Sequence, residues 1–299
     1  NNNFSVNERS MATYAQLDFN TDLLDRALRG NVGVRLVKTQ ISAAGWAPCP
    51  TGGEANCERV FGVANATSAA GDRFVVESIV GHNYTDVLPS LNLSWDLSDT
   101  FVLRFGAAKT MARPTLTYMS PSVTGGPTNF FDDGRYYSIN LGNPRLDPFR
   151  STNYDLSAEW YFAEGGLLSA AVFYKDIESY VQRTRLLSTW SDLGYSLDLL
   201  PPGFTADTIF NVQSYYNTPG GPLKGWELTY QQPFTFLPGF WSKFGVQMNY
   251  THVDSDIEYL FSTAASNNTA IVTQVTENQL VNLSPNSYNA TLYYDDGRF

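Results

Sequence analysis

A chain of 299 residues is long enough for one large domain or two ordinary ones, but its net charge of −10 supplies no basic stripe, so no nucleic-acid partner is expected. Aromatic residues reach 14% while charged residues are only 16%, and no apolar run approaches the ~18 residues that a membrane helix needs. The opening NNNFSVNERS carries neither an initiator Met nor the apolar core of a signal peptide, so the chain reads as a fragment or a processed piece with an internal start.

The elements, taken in chain order, are strands. They are expected at 8–19, 31–43, 84–97, 100–113, 151–162, 167–181, 223–231, 242–256 and 283–294. Most show a period of two. Val32, Val34 and Leu36 alternate with Gly33, Arg35 and Val37; Leu91, Leu93 and Trp95 alternate with Asn92, Ser94 and Asp96. Phe101, Leu103 and Phe105 alternate with Val102, Arg104 and Gly106. Tyr154, Leu156, Ala158, Trp160 and Phe162 share one parity, and Asn153, Asp155, Ser157, Glu159 and Tyr161 the other. The pattern returns at Trp226–Gln231, Phe244–Thr251 and Tyr288–Tyr294. Such alternation marks strands with two chemically different faces. No long stretch shows a helical apolar period.

The links carry a second signal. Those after the first, third, fifth, seventh and ninth strands are short, as in LSD, AEGG and DDG. Those after the second, fourth, sixth and eighth are long, running through 44–83, 114–150, 182–222 and 257–282. One-sided alternation also suits an antiparallel sheet packed on a soluble core. A soluble sandwich, however, has no reason to place every long loop at alternate links, whereas a transmembrane up-and-down barrel does. The fold expected is therefore all-β: an antiparallel transmembrane β-barrel of about nine strands, partial and unclosed, with its long loops on one rim. Tyr154, Leu156, Ala158, Trp160 and Phe162 would face lipid, and Asp155 and Glu159 the interior.

Candidate chemistry is sparse. Cys49 and Cys57 sit in a Gly/Pro/Asn-rich loop without a CxxC or Cys/His cluster, so no metal site is expected. A short loop disulfide in an oxidising compartment is the reading preferred over two free thiols. Neither a nucleophile elbow nor a phosphate loop occurs, and His82 and His252 read as rim residues instead of general bases, so an enzyme and a cofactor are not expected. Asp254, Asp256 and Glu258 share one parity near the outer rim, where a solvated rim is preferred over a calcium site. In NFFDDGRYY, Asp132, Asp133, Arg135, Tyr136 and Tyr137 combine rings with polar groups in the manner of a sugar site, with loop self-packing as the alternative. Trp190, and Tyr215 or Tyr216, carry the same pair of readings.

Several stretches resemble the C-terminal barrel of TonB-dependent outer-membrane receptors. VLPSLNLSWDLSDTFVLRFGAAKTMARPTL (87–116) resembles the strand–turn–strand that ends in Ala-Arg-Pro. LGNPRLDPFRSTNYDLSAEWYF (141–162) resembles the Gly-Asn-Pro-x-Leu-x-Pro re-entry, and GLLSAAVFYKDIESYV (166–181) the strand after it. LKGWELTYQQPFTFLPG (223–239) and SPNSYNATLYYDDGRF (284–299) continue the series over essentially the whole chain. The resemblance is nearest to the group linked with carbohydrate uptake. It implies a Gram-negative outer-membrane location and contact with outer-membrane lipid and lipopolysaccharide. It also implies a small-molecule ligand and a TonB complex reached through a plug domain. The plug, the TonB box and the final strands of the family's barrel are expected to be absent from these residues. A ferric-siderophore receptor, a passive porin and a surface-binding barrel stand as alternatives to oligosaccharide import.

Overall fold

A computed structural model of the chain describes residues 4–48, 58–60, 73–121, 123–124, 137–193, 197, 200, 203–264 and 271–296. The nine expected strands are all present, as β1 (Phe4–Leu23), β2 (Arg26–Pro48), β4 (Arg73–Asp96), β5 (Phe101–Ala112), β8 (Phe149–Ala163), β9 (Gly166–Thr189), β11 (Gly221–Pro233), β12 (Phe244–Ser255) and β15 (Asn286–Tyr294). Between them lie six further strands: β3 (Glu58–Val60), β6 (Val123–Thr124), β7 (Tyr137–Leu141), β10 (Ile209–Thr218), β13 (Ile257–Ala264) and β14 (Ile271–Asn278). Among the described residues the helical elements are Leu116–Met119, Gly239–Lys243 and the single turn α1 (Trp190–Leu193).

The nine long strands pair antiparallel with their chain neighbours from β1 to β15 and form the body of a 13-stranded sheet. Because the meander is antiparallel throughout, its tight turns share one end and its long connections the other. The β1–β2 turn is only Leu24–Asp25, much shorter than the expected link of ten residues, and both residues take positive φ. That conformation suits the twist of a two-residue hairpin. Among the described residues β1 and β15 each pair on one side only, so the sheet is open.

Register shows what the alternation is for. Val32, Leu91, Ala107, Tyr154 and Tyr174 are successive cross-strand partners, so they lie in one row on one face. Asn31, Asn92, Gly106 and Asp155 form the matching row on the other face. The apolar row is one level of a band: Val87 to Trp95 on β4, Tyr154 to Phe162 on β8, Phe244 to Tyr250 on β12. The first two stretches advance about 27 Å and the third about 20 Å at ~3.4 Å per residue, on the scale of the ~25 Å apolar band of a transmembrane barrel. Beyond it the same parity turns polar, at Lys38, Thr85, Thr152 and Asp176.

Among the described residues no second layer covers the band: Leu17, Val172, Tyr288 and Leu292 are 65%, 54%, 83% and 67% exposed. A strand that faced hydrocarbon would present such an uncovered apolar stripe, and the paired ladder satisfies the backbone.

The sheet also outgrows the membrane. β4 has 24 residues, more than twice the roughly 9–11 that a membrane strand requires, whereas β5 and β8 stop at Ala112 and Phe149. The described parts of the connection between them, 113–121 and 137–148, contribute Met119, Ile139, Leu141 and Leu146 to the buried core. Ile41, Tyr84, Met119, Leu146 and Val181 form one cluster; Val80, Ile139, Leu141, Trp190, Phe210 and Val212 form the other.

Strands β10 and β11 keep one continuous register against β9, from Ile209↔Thr189 to Gln231↔Leu167. They are therefore a single long strand, broken only at Pro219–Gly220. The break carries β12 inward past it: Asp256 N–H donates to Pro222 O, and Glu258 N–H to Gly220 O. Asp254 lies one residue before the end of β12 and Glu258 one residue into β13, so the three acidic residues expected on one strand straddle this corner. Among the described residues no group of three or more His, Cys, Asp or Glu could hold a metal.

Candidate functional site

The face opposite the lipid band is concave and polar. In its near half, arginine–carboxylate pairs tie adjacent strands: Arg29 to Asp96 at 2.6 Å, Arg26 to Asp99 at 2.6 Å and Arg104 to Glu159 at 2.9 Å. Asn92 donates to Asn31, and Arg104 also reaches Ser94. Asn31, Asn92, Arg104 and Asp155 line a cavity of about 720 Å³ on this wall. Each exposed pair adds only about 0–1 kcal/mol, so their effect is to keep this face wettable instead of to hold the sheet together.

The outer half is a built surface. Its frame is the bar from Asn143 to Pro148, crossing from β4 to β10. Prolines 121, 144 and 148 are fully buried, as is Leu146. A proline has no N–H, so an irregular segment can be buried with fewer orphan donors. On one side, His82 Nε2 meets Asp147 Oδ1 at 2.9 Å, and Arg150 Nε meets Asp86 Oδ1 at 2.6 Å. On the other side, Asn217 exchanges two 2.9 Å bonds with the Asp147 backbone, and Asn143 donates to Tyr215 O. Burial disfavours the Arg150 charge, but Asp86, and Asp147 beside it, outweigh this and raise the guanidinium above its ordinary value. The second oxygen of Asp86 is buried without a partner among the described residues. Across the concavity Arg113 reaches Glu8 at 2.8 Å and donates to Ser10.

Above this frame Tyr118 and Tyr215 stack with centroids 4.0 Å apart, and the exposed Arg183 guanidinium lies 5.8 Å over the Tyr215 ring. Tyr216 has its phenol pushed up to about 12 by burial. Rings, amides and a guanidinium thus share one part of this polar face.

Of the residues expected at a site, Asp132, Asp133, Arg135 and Tyr136 lie outside the described residues, as do Cys49 and Cys57. Tyr137 opens β7 and pairs with Phe210 in a parallel ladder. Trp190 is 2% exposed and packs on Phe210 at 5.5 Å, so its ring belongs to the core beneath the loops. His252 lies on the lipid-facing parity beside Trp226, bonded to Asn286. Tyr118, Arg183 and the Asp86–Arg150 pair carried no signal in the sequence beyond the NPRLDP stretch that positions them.

A family model described as TonB dependent receptor-like, beta-barrel matches residues 1–299. The chain belongs to this family. The receptor barrel is thus an outer-membrane wall, and its family is one of transport receptors, not enzymes. No curated protein matches it in sequence. Among solved structures it is similar to the siderophore receptor PirA of Pseudomonas aeruginosa, with 15% identity and TM-score 0.41 over 85% of this chain and 46% of that one. It is similar to the ferric-catecholate import receptor Fiu of E. coli K12, with 12% identity and TM-score 0.49 over 97% and 32%. The ferric yersiniabactin uptake receptor FyuA of Yersinia pestis gives 15% and 0.44 over 97% and 32%. The receptor barrel therefore spans between a third and a half of the length of these proteins.

Proposed function

We propose that the full-length protein is an outer-membrane receptor that imports a scarce nutrient with energy from the TonB complex, and that the nutrient is a neutral oligosaccharide. On this reading the plug, the TonB box and the remaining strands lie outside these 299 residues. The open edges of β1 and β15 support that part.

The observation that carries the cargo is the character of the outer surface. Tyr118 and Tyr215 form a ring platform bordered by Asn143 and Asn217, a combination that suits C–H faces and hydroxyls. The 114–150 connection balances Asp132, Asp133 and Asp147 against Arg135, Arg145 and Arg150, without the basic excess that would draw anions. One observation favours a second reading, an anionic ferric chelate: Arg183 stays exposed over Tyr215. Exposed Arg9, Lys38 and Lys224 stand on the outward face just beyond the apolar band, where they would meet lipopolysaccharide phosphates.

Uptake of tritiated neutral oligosaccharides and of a radioactive ferric catecholate, in cells carrying the full-length gene, separates the readings. Energy-dependent sugar uptake lost in Tyr136→Ala/Tyr137→Ala is the expected result. Uptake indifferent to an uncoupler would instead indicate a passive porin. Tight ferric-chelate binding, with sugar-dependent growth untouched by the double substitution, would overturn the carbohydrate reading.

A further inference from the structure

The near-end turns are short with one exception. Between β11 and β12 the chain runs through Phe234–Lys243, PheThrPheLeuProGlyPheTrpSerLys, and closes with Phe234 N–H donating to Phe244 O. Gly239 takes φ +63, which lets the turn reverse into the 3-10 helix Gly239–Lys243. Nothing in the sheet needs this length, since Glu164–Gly165 closes the β8–β9 hairpin with two residues.

The extra residues carry rings outward instead of burying them. Phe236, Phe240 and Trp241 are 68%, 59% and 62% exposed. Phe240 contacts Phe244 at 5.2 Å and Tyr294 at 5.8 Å, and Trp241 contacts Phe244 at 5.8 Å. Phe244 and Tyr294 are cross-strand partners on the lipid-facing parity. Phe240 and Trp241 therefore continue the lipid-facing band past the last ladder bond, while Phe236 packs on Phe234 at 6.0 Å, and Phe234 follows Trp226, Leu228 and Tyr230 on their parity. Lys243 Nζ lies 5.9 Å from the Tyr294 ring, on that same side, and pairs with no carboxylate among the described residues.

We propose that this turn is an interfacial anchor that seats Phe236, Phe240 and Trp241 in the headgroup–acyl boundary of the periplasmic leaflet, with Lys243 against a phospholipid phosphate. The short-turn end of such a barrel is the periplasmic one. An exposed ring cluster beside an ammonium is the composition that partitions into a membrane interface. Continuity with the lipid-facing wall selects phospholipid over a periplasmic protein. The anchor fixes the depth of the β11–β12 hairpin independently of any cargo.

The test uses the full-length receptor in phosphatidylcholine vesicles whose acyl chains carry bromine at a shallow or a deep position. The difference in emission between wild type and Trp241→Phe isolates this tryptophan from the five others. The expected result is that shallow bromine quenches at least half of the Trp241 signal, deep bromine quenches less, and aqueous iodide quenches little. A nitroxide on Ser242→Cys, read by oxygen against a water-soluble nickel chelate, gives the depth without relying on Trp241. A Trp241 signal quenched by iodide and by neither bromolipid, or a nitroxide open to the chelate, would overturn the proposal and leave the turn to water or a periplasmic protein.

Discussion

Replacing Arg150 by Ala removes the counter-charge of a carboxylate that has nowhere else to turn. The Asp86 side chain is 2% exposed and that of Arg150 23%, with 2.6 Å between Oδ1 and Nε. One Asp86 oxygen is already unpartnered, so the variant would hold a buried anion with both oxygens short of donors. Breaking such a pair from one side costs about 3–5 kcal/mol. The expected destabilisation is thus about 3–4 kcal/mol. The reporter is hydrogen exchange in the bar, where Asn143 N–H donates to Tyr118 O and Asp147 N–H to Asn217. A loss of 3–4 kcal/mol reads as roughly 100- to 1,000-fold faster exchange there, provided it is expressed as local opening. Asp86→Asn/Arg150→Ala should recover most of the protection. Exchange altered less than threefold by Arg150→Ala would refute the reasoning.

Three further outcomes are expected. Leu156→Arg or Leu103→Arg should cost the complete barrel about 2–4 kcal/mol in bilayer folding titrations, against much less for the inward Ser157→Arg, and equal costs would mean the faces are misassigned. Cys49 and Cys57 should form a disulfide, visible as a mass change of the enclosing peptide only after reduction, and alkylation of both thiols without reductant would contradict it. Tyr216 should ionise near 12 instead of 10.0, so the wild-type minus Tyr216→Phe difference spectrum should rise with that midpoint. Its stabilising preference for the neutral phenol is complete below pH 10 and fades towards pH 12, and a midpoint near 10 would show the ring to be solvated.

Much of the wall was legible because lipid on one face and water on the other write a strict alternation into each strand. The strand ends were not. Past the band both faces are polar or packed, so the first eleven residues of β4, Arg73–Asn83, carry no lipid-facing apolar stripe. Strand β10 was hidden for another reason: Phe210 and Val212 pack on one side and Tyr215 on the other, and Pro219-Gly220-Gly221 reads as a turn although the register runs straight through it. The outer polar surface was the least legible. His82 and Asp147 are 65 residues apart, and Tyr118 meets Tyr215 only because the bar folds inward. An isolated tryptophan in a loop, such as Trp190, reads equally as a ligand platform or as core, and only burial separates the two.

The two-residue Leu24–Asp25 turn has a consequence for how this wall tolerates change. In the β1–β2 and β8–β9 hairpins the pairing is counted from the near end, where a two-residue turn leaves no slack, so the partner of each residue is decided before the chain reaches the far rim. Residues added or removed within 49–57 or 265–270 therefore shift no side chain from oil to water. Foreign peptides spliced there should be carried on the cell surface by an unaltered wall, whereas one residue inserted at Leu24 would turn a whole strand inside out.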